Sequence, residues 1–403
     1  MLQALPMVFI LIGVAMYTVL AGADFGAGLW QLMAGPGPRG ERIREHAHHS
    51  MAPVWEANHV WLIFVLTVFW TAYPRALGSI ASTLAVALSV AALGIIFRGA
   101  AYALREGALN EQEAGVIDTI FAVSSIITPF ALGAAVGAIA TDRVPVGNAA
   151  GRLFSSWLNG PSVLIGVLAV ASCAYLAAVY LAADAARLGD AELQQAFRLR
   201  ALGAGAVAGG LALAGVVVLE ANYHRLYHSL VDGSGLPALV VSALAGVATL
   251  GLVWRHRYEW ARYGAALAVA AIVAGWALAR WPVILPGLTV QQAAAGHDTL
   301  VWVVVAVLVG GLIMFPSLAL LFRLSLTGRF RAPETVDNGL GAAAIGLGTG
   351  SWPVRVAMAC LVAGFGLLNV ADAGWAHGLG VVCLLGFVVL GFRAVIVNAL
   401  ADG

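Results

Sequence analysis

Long apolar runs, cut only by arginines, prolines and short acidic clusters, constrain this chain more than any other feature. They fall at about 4–31, 56–76, 78–103, 114–140, 160–183, 199–219, 235–254, 262–285 and 299–323, with two more at about 353–372 and 375–398. A helix needs roughly 20 apolar residues to cross the ~30 Å hydrocarbon core of a bilayer. Each run is apolar all round rather than along one stripe, which excludes amphipathic helices around a water-soluble core. Charged residues are only 10% of the 403, against about a quarter in a soluble domain. The runs predict an all-α polytopic membrane protein with about eleven transmembrane helices.

The organisation follows from the breaks. Residues 1–141 are expected to form a first four-helix bundle, and residues 142–330 a second bundle and a ninth helix. An arginine- and glycine-rich linker then introduces a two-helix extension within 331–403. The N-terminus lacks a basic segment and its apolar run is too long for a signal peptide, so a retained first helix is expected. Arginines alternate between loops, with thirteen on one side (among them Arg39, Arg42, Arg44, Arg187 and Arg255) and five on the other (Arg75, Arg143, Arg152, Arg225 and Arg280). The positive-inside rule makes the richer side cytoplasmic, placing the N-terminus outside and the C-terminus inside.

Composition excludes several classes. No basic tract points to nucleic acid. Cys173, Cys360 and Cys383 are isolated within apolar runs, so core packing is expected of them rather than a disulfide or a metal centre.

A charge at the bilayer centre costs at least about 2.5–3.5 kcal/mol on insertion scales, so such residues need a partner, a cavity or a function. Asp24 lies late in the first helix, Glu56 at the start of the second, Arg98 near the end of the third and Asp118 early in the fourth. With alternating helix directions, all four fall at the cytoplasmic end of one bundle. Gly26, Gly28 and Gly99 would allow close backbone approach there. Carboxylates at this depth can relay protons, because burial favours the neutral, proton-carrying form. The competing reading is structural: Arg98 pairs with Asp24 or Asp118 to hold the helices together. Glu56 has no single obvious partner and is the stronger candidate for a protonatable role. Asp118 also suits a solvated helix start, where the helix dipole favours it.

None of the histidines is expected at mid-span. His46, His48 and His49 read as solvated loop residues, and His59 follows Asn58 in the second helix. His224 and His228 have a spacing that can bind metal, although a loop pair is the commoner outcome. No metal site is expected. Trp281, Pro282 and Pro286 close the eighth helix at the outer interface, where proline ends a helix and tryptophan favours the headgroup level.

Together these residues resemble subunit II of the cytochrome bd-type quinol oxidases. The stretch Gly22-Ala23-Asp24-Phe25-Gly26-Ala27-Gly28 is similar to the family's first-helix pattern. The segment Trp55-Glu56-Ala57-Asn58-His59-Val60-Trp61-Leu62 is similar to its most specific motif. Phe97-Arg98, Asp118 with Pro129, Gly133 and Gly137, and Trp281 to Pro286 follow in the family's order, so that the resemblance covers residues 1 to about 330. It implies a heterodimer in the bacterial cytoplasmic membrane, serving aerobic respiration. Subunit I would carry haem b and haem d and oxidise quinol, while this chain would support it without being catalytic alone. The resemblance leaves room for a structural quinone or a small accessory subunit. It also implies that the acidic residue after the motif tryptophan, here Glu56, belongs to a cytoplasmic proton pathway; Asp24 and Asp118 are further candidates from their depth alone, and His59 either joins that pathway or fills space. Two departures stand out. Relatives commonly carry a second acidic residue where this chain has Ala21, and a glutamine where it has His59.

The rival from another class is a secondary transporter using intramembrane carboxylates. A transporter predicts helices broken at mid-membrane, whereas the charges here gather at one end.

Overall fold

The structure, a computed structural model, describes residues 1–51, 55–105, 111–326, 352–370 and 374–401. The first helix, α1 (Leu5–Leu32), begins with a proline in its first turn and is apolar on every face. Gly35 and Gly37, both at positive φ, turn the chain into α2 (Pro38–Met51). This short polar helix was expected to be a wet loop. Ile43, His46 and Ala47 instead form a buried stripe at helical spacing. His46 lies with Nε2 at 3.1 Å from the Leu181 carbonyl and its ring against Phe197, so it is not solvated. His48 is half-buried and stacks on Tyr102, whereas the side chain of His49 lies outside the described residues.

The run predicted at 56–76 does not continue as one helix. It ends as α3 (Trp55–Ala72), and its last residues join the start of the run expected at 78–103 in a separate helix, α4 (Pro74–Thr83), bent by 119° from α3. Pro74 cannot donate to the preceding turn and pushes the residue before it out of the helical region. Tyr73 accordingly sits at φ −137° and ψ 59°. Its hydroxyl donates to the Gln3 carbonyl and accepts from the Met7 N–H, fixing the bend against the start of α1. The antiparallel pair α5 (Ala85–Arg105) and α6 (Glu111–Ala140) follows.

The next helix, α7 (Gly160–Arg187), is capped by Asn159, whose side chain accepts from the Ser162 N–H. Its alanine-rich second half is buried on all sides, with α1, α6, α8 (Ala191–Asn222) and α11 (Tyr258–Arg280) packed around it. Small side chains permit this crowding, since helices in a membrane associate through close packing rather than through escape from water. Between α8 and α11 lie α9 (His224–Val231) and α10 (Leu236–Trp254). After α11 a two-stranded hairpin, β1 (Val283–Leu285) and β2 (Leu288–Thr289), turns at Gly287. Thr289 then caps the single turn α12 (Val290–Ala293), which leads into α13 (His297–Leu326).

Eight described helices are long and apolar enough to cross a membrane, or nine if the bent α3–α4 pair forms one span. The chain divides into two compact units, Met1–Ala319 and Leu320–Gly403. In the second unit α14 (Trp352–Val370) packs along α15 (Gly374–Ala401), with Gly364 close against Leu384. Most of the expected linker before it lies outside the described residues.

Candidate functional site

Asp24 and Arg98 meet in the interior of the first unit. The Arg98 Nη1 donates to one carboxylate oxygen of Asp24 at 2.7 Å and Nη2 to the other at 2.7 Å. Nη2 also reaches the Asp24 main-chain carbonyl at 3.1 Å, and Nε donates to the Ser125 hydroxyl at 2.9 Å. Phe25 and Phe121 place their rings 5.1 and 4.4 Å from the guanidinium carbon. Both charged residues are buried, at 2% and 1% exposure. The guanidinium fork matches the carboxylate geometrically, and this satisfies a pair that either member alone would make very costly.

Glycines explain how these groups come so close. A β-carbon on Gly26 would overlap the Cys173 carbonyl of α7, and one on Gly28 would overlap the Ser125 hydroxyl of α6. The absence of side chains at both points brings α1 against two helices at the level of the ion pair. Ser125 in turn donates to the Phe121 carbonyl at 2.7 Å, which fixes its oxygen as an acceptor for Arg98.

The motif helix docks on the same stretch of α1. Asn58, buried, donates from Nδ2 to the Leu20 carbonyl at 3.3 Å. The His59 ring lies 6.3 Å from Tyr17 and 6.4 Å from Phe25. Trp61 packs against the cluster of Tyr17, Ala21, Phe25 and Cys173. Ala21 is fully buried there. Glu56 and Trp55 lie on the first turn of α3, just before Asn58, and their side chains lie outside the described residues.

The four expected charges are not all brought together. Asp118 accepts from Arg105 Nε at 2.7 Å, with both side chains 40% exposed, and so sits at the rim of the α5–α6 pair rather than on Arg98. Sequence reasoning missed Arg105 as its partner and Ser125 as the third ligand of Arg98. A serine pair, Ser124-Ser125, inside an apolar helix was the available signal.

The segment from Trp281 to Pro286 is not a helix end alone. It forms the start and first strand of the hairpin, anchored by Arg280. The Arg280 guanidinium donates to the Ala140 carbonyl at 3.1 Å, to Asp142 at 2.9 Å and to the Ile284 carbonyl at 3.3 Å. His228 pairs with Asp232 at 2.9 Å, and among the described residues no three His, Cys, Asp or Glu side chains converge as metal ligands.

A predominantly helical chain with several helices long and apolar enough to span a membrane, and a buried arginine–carboxylate pair among them, is a polytopic membrane protein. Residues 2–325 match the family described as cytochrome bd terminal oxidase subunit II. The chain belongs to that family and is thus a subunit of a respiratory oxidase, an oxidoreductase complex. It is 24% identical over 324 residues to the cytochrome bd-I ubiquinol oxidase subunit 2 of Escherichia coli K12, covering 71% of this chain and 83% of that one. It is 28% identical over 127 residues to the cytochrome bd ubiquinol oxidase subunit 2 of Bacillus subtilis, covering 31% of this chain and 37% of that protein. Its fold is similar to a chain of the bd oxidase from Geobacillus thermodenitrificans, with a TM-score of 0.63 and 25% identity, covering 81% of this chain and 99% of the other.

Proposed function

We propose that this subunit supports a haem-bearing subunit I in a quinol:oxygen oxidoreductase and contributes proton uptake from the cytoplasm at Glu56. The relatives in Escherichia coli and Bacillus subtilis are named for ubiquinol oxidation, which supports quinol as the electron donor. Reducing one oxygen molecule to two waters consumes four electrons and four protons, so the reacting site needs a steady proton supply. The haem groups of the partner subunit would supply the redox chemistry. This chain's residues hold and move protons.

One observation carries the proposal. The α3 motif seats Asn58 and His59 on α1 beside the Asp24–Arg98 pair, and the same first turn of α3 carries Glu56. Both carboxylate oxygens of Asp24 are occupied by Arg98, which favours a framing role for Asp24 over that of a proton carrier. Asp118, half-exposed at the rim with Arg105, fits a place where protons are collected from water. His59, between Tyr17 and Phe25, is the inward neighbour. The arginine-rich loops argue for this end being cytoplasmic. Family membership favours the oxidase over a transporter.

The test is Glu56→Gln in the assembled complex, with Glu56→Asp as the conservative partner. Glutamine keeps the shape and loses the proton, so oxygen consumption with quinol should fall by roughly a hundredfold while the haem spectrum stays native. Aspartate should restore much of the rate. Full turnover of the glutamine variant across the pH range would sink the proposal.

A further inference from the structure

A groove of about 350 Å³ runs between α1, α7 and α8, away from the ion pair. Its walls are apolar, formed by Leu29, Met33, Val167, Val170, Val207 and Leu211, and Trp30 closes one side. Trp30 is held in place by its Nε1, which donates to the Ala174 carbonyl at 2.8 Å. One charged side chain, Arg200 of α8, lines the groove.

Arg200 is half-buried, with its guanidinium carbon 5.6 Å from the Trp30 ring and 5.5 Å from the Phe197 ring. Among the described residues its one hydrogen bond goes to the Ala196 carbonyl on its own helix, and no carboxylate pairs with it. Arg39, itself paired with Glu192 at 3.7 Å, adds a second positive charge to the same surroundings. By contrast, Arg98 has Asp24, and Arg280 has Asp142 and two carbonyls. A cation lining a groove of hydrocarbon near the end of α1 calls for an anion carrying an apolar tail.

We propose that this groove binds an anionic phospholipid, with the Arg200 guanidinium on the headgroup phosphate and an acyl chain along Val167, Val170, Val207 and Leu211. The planar fork suits a phosphate as it suits a carboxylate. The aromatic rings of Trp30 and Phe197 hold the guanidinium in position, so little side-chain freedom is lost when the phosphate arrives.

The experiment uses the assembled oxidase in nanodiscs of phosphatidylcholine containing a minor share of phosphatidylglycerol. After delipidation, the retained lipids are quantified by mass spectrometry. Wild type should retain phosphatidylglycerol in preference to phosphatidylcholine, and Arg200→Gln should lower that preference roughly fivefold. Gly203 also lines the groove and has no neighbour within 4 Å of a built β-carbon, so Gly203→Leu adds bulk to the groove wall from an open position and keeps the charge. It should reduce retention of both lipids. The leucine variant decides the matter even where Arg200→Gln fails to assemble. Unchanged phosphatidylglycerol retention in the leucine variant would overturn the proposal, as would displacement of the lipid preference by inorganic phosphate alone, which marks a free-anion site.

Discussion

Arg98 shows how one side chain can organise the centre of a membrane subunit. It neutralises Asp24, takes the Ser125 hydroxyl as a further acceptor and lies between two aromatic rings. Arg98→Ala would leave the Asp24 carboxylate buried without a counter-charge, at a cost of about 3–5 kcal/mol. The yield of assembled complex should therefore collapse, whereas Arg98→Lys, keeping the charge but losing the fork, should recover part of it. Normal yield of the alanine variant with turnover lost would instead assign Arg98 to proton transfer. Asp24 and Arg98 were legible in the sequence because charge inside an apolar run is costly enough to need a reason. Ser125 was not, because a serine in a membrane helix ordinarily bonds only to its own preceding turn, as this one also does to Phe121. Which of two carboxylates Arg98 would choose was equally hidden, since Asp118 on α6 finds Arg105 at the end of α5 instead.

At the scale of elements, close approach and capping do most of the positioning. Gly26 lets α1 touch the α7 backbone, so Gly26→Val should force the helices apart at about 1–3 kcal/mol, read as a lower thermal midpoint of the complex. The polar helix α2 is clasped to the start of α8, where Arg42 reaches Asp190 at 2.5 Å and also Glu192. Asp190 accepts from the Leu193 backbone N–H and lies beside the Arg42 guanidinium, and together these hold its carboxyl below the usual carboxylate range. Its contribution is therefore present above the ordinary aspartate value of about 3.9 and fades as pH falls through the lower folded value. The difference in thermal midpoint between wild type and Asp190→Asn should be constant from neutrality to about pH 5 and vanish in stronger acid. Constant difference down to the lowest pH would contradict the clasp. The long helices were legible from hydropathy alone. The α2 helix was not, because its buried stripe is only Ile43, His46 and Ala47 within a polar segment. The bend at Tyr73–Pro74 had a visible signal in the proline, yet its size depends on the Tyr73 hydroxyl finding Gln3 and Met7.

For the whole molecule, family membership and compactness stop at nearly the same place. The family match ends at residue 325 and the first compact unit at Ala319, while α14 and α15 belong to a second unit. A chain truncated after Arg331 keeps α13 whole and should assemble with a native haem spectrum and unaltered quinol oxidation. Loss of assembly on truncation would give the extension a role in holding the complex. The central claim concerns the other end of the chain, where a framed ion pair adjoins the helix that carries Glu56. The most direct test follows proton uptake itself with a pH indicator while the reduced, assembled oxidase reacts once with oxygen. Glu56→Gln should slow proton uptake and oxygen reduction together, by a similar factor, with haem content unchanged. Uptake at the wild-type rate in that variant would contradict the account.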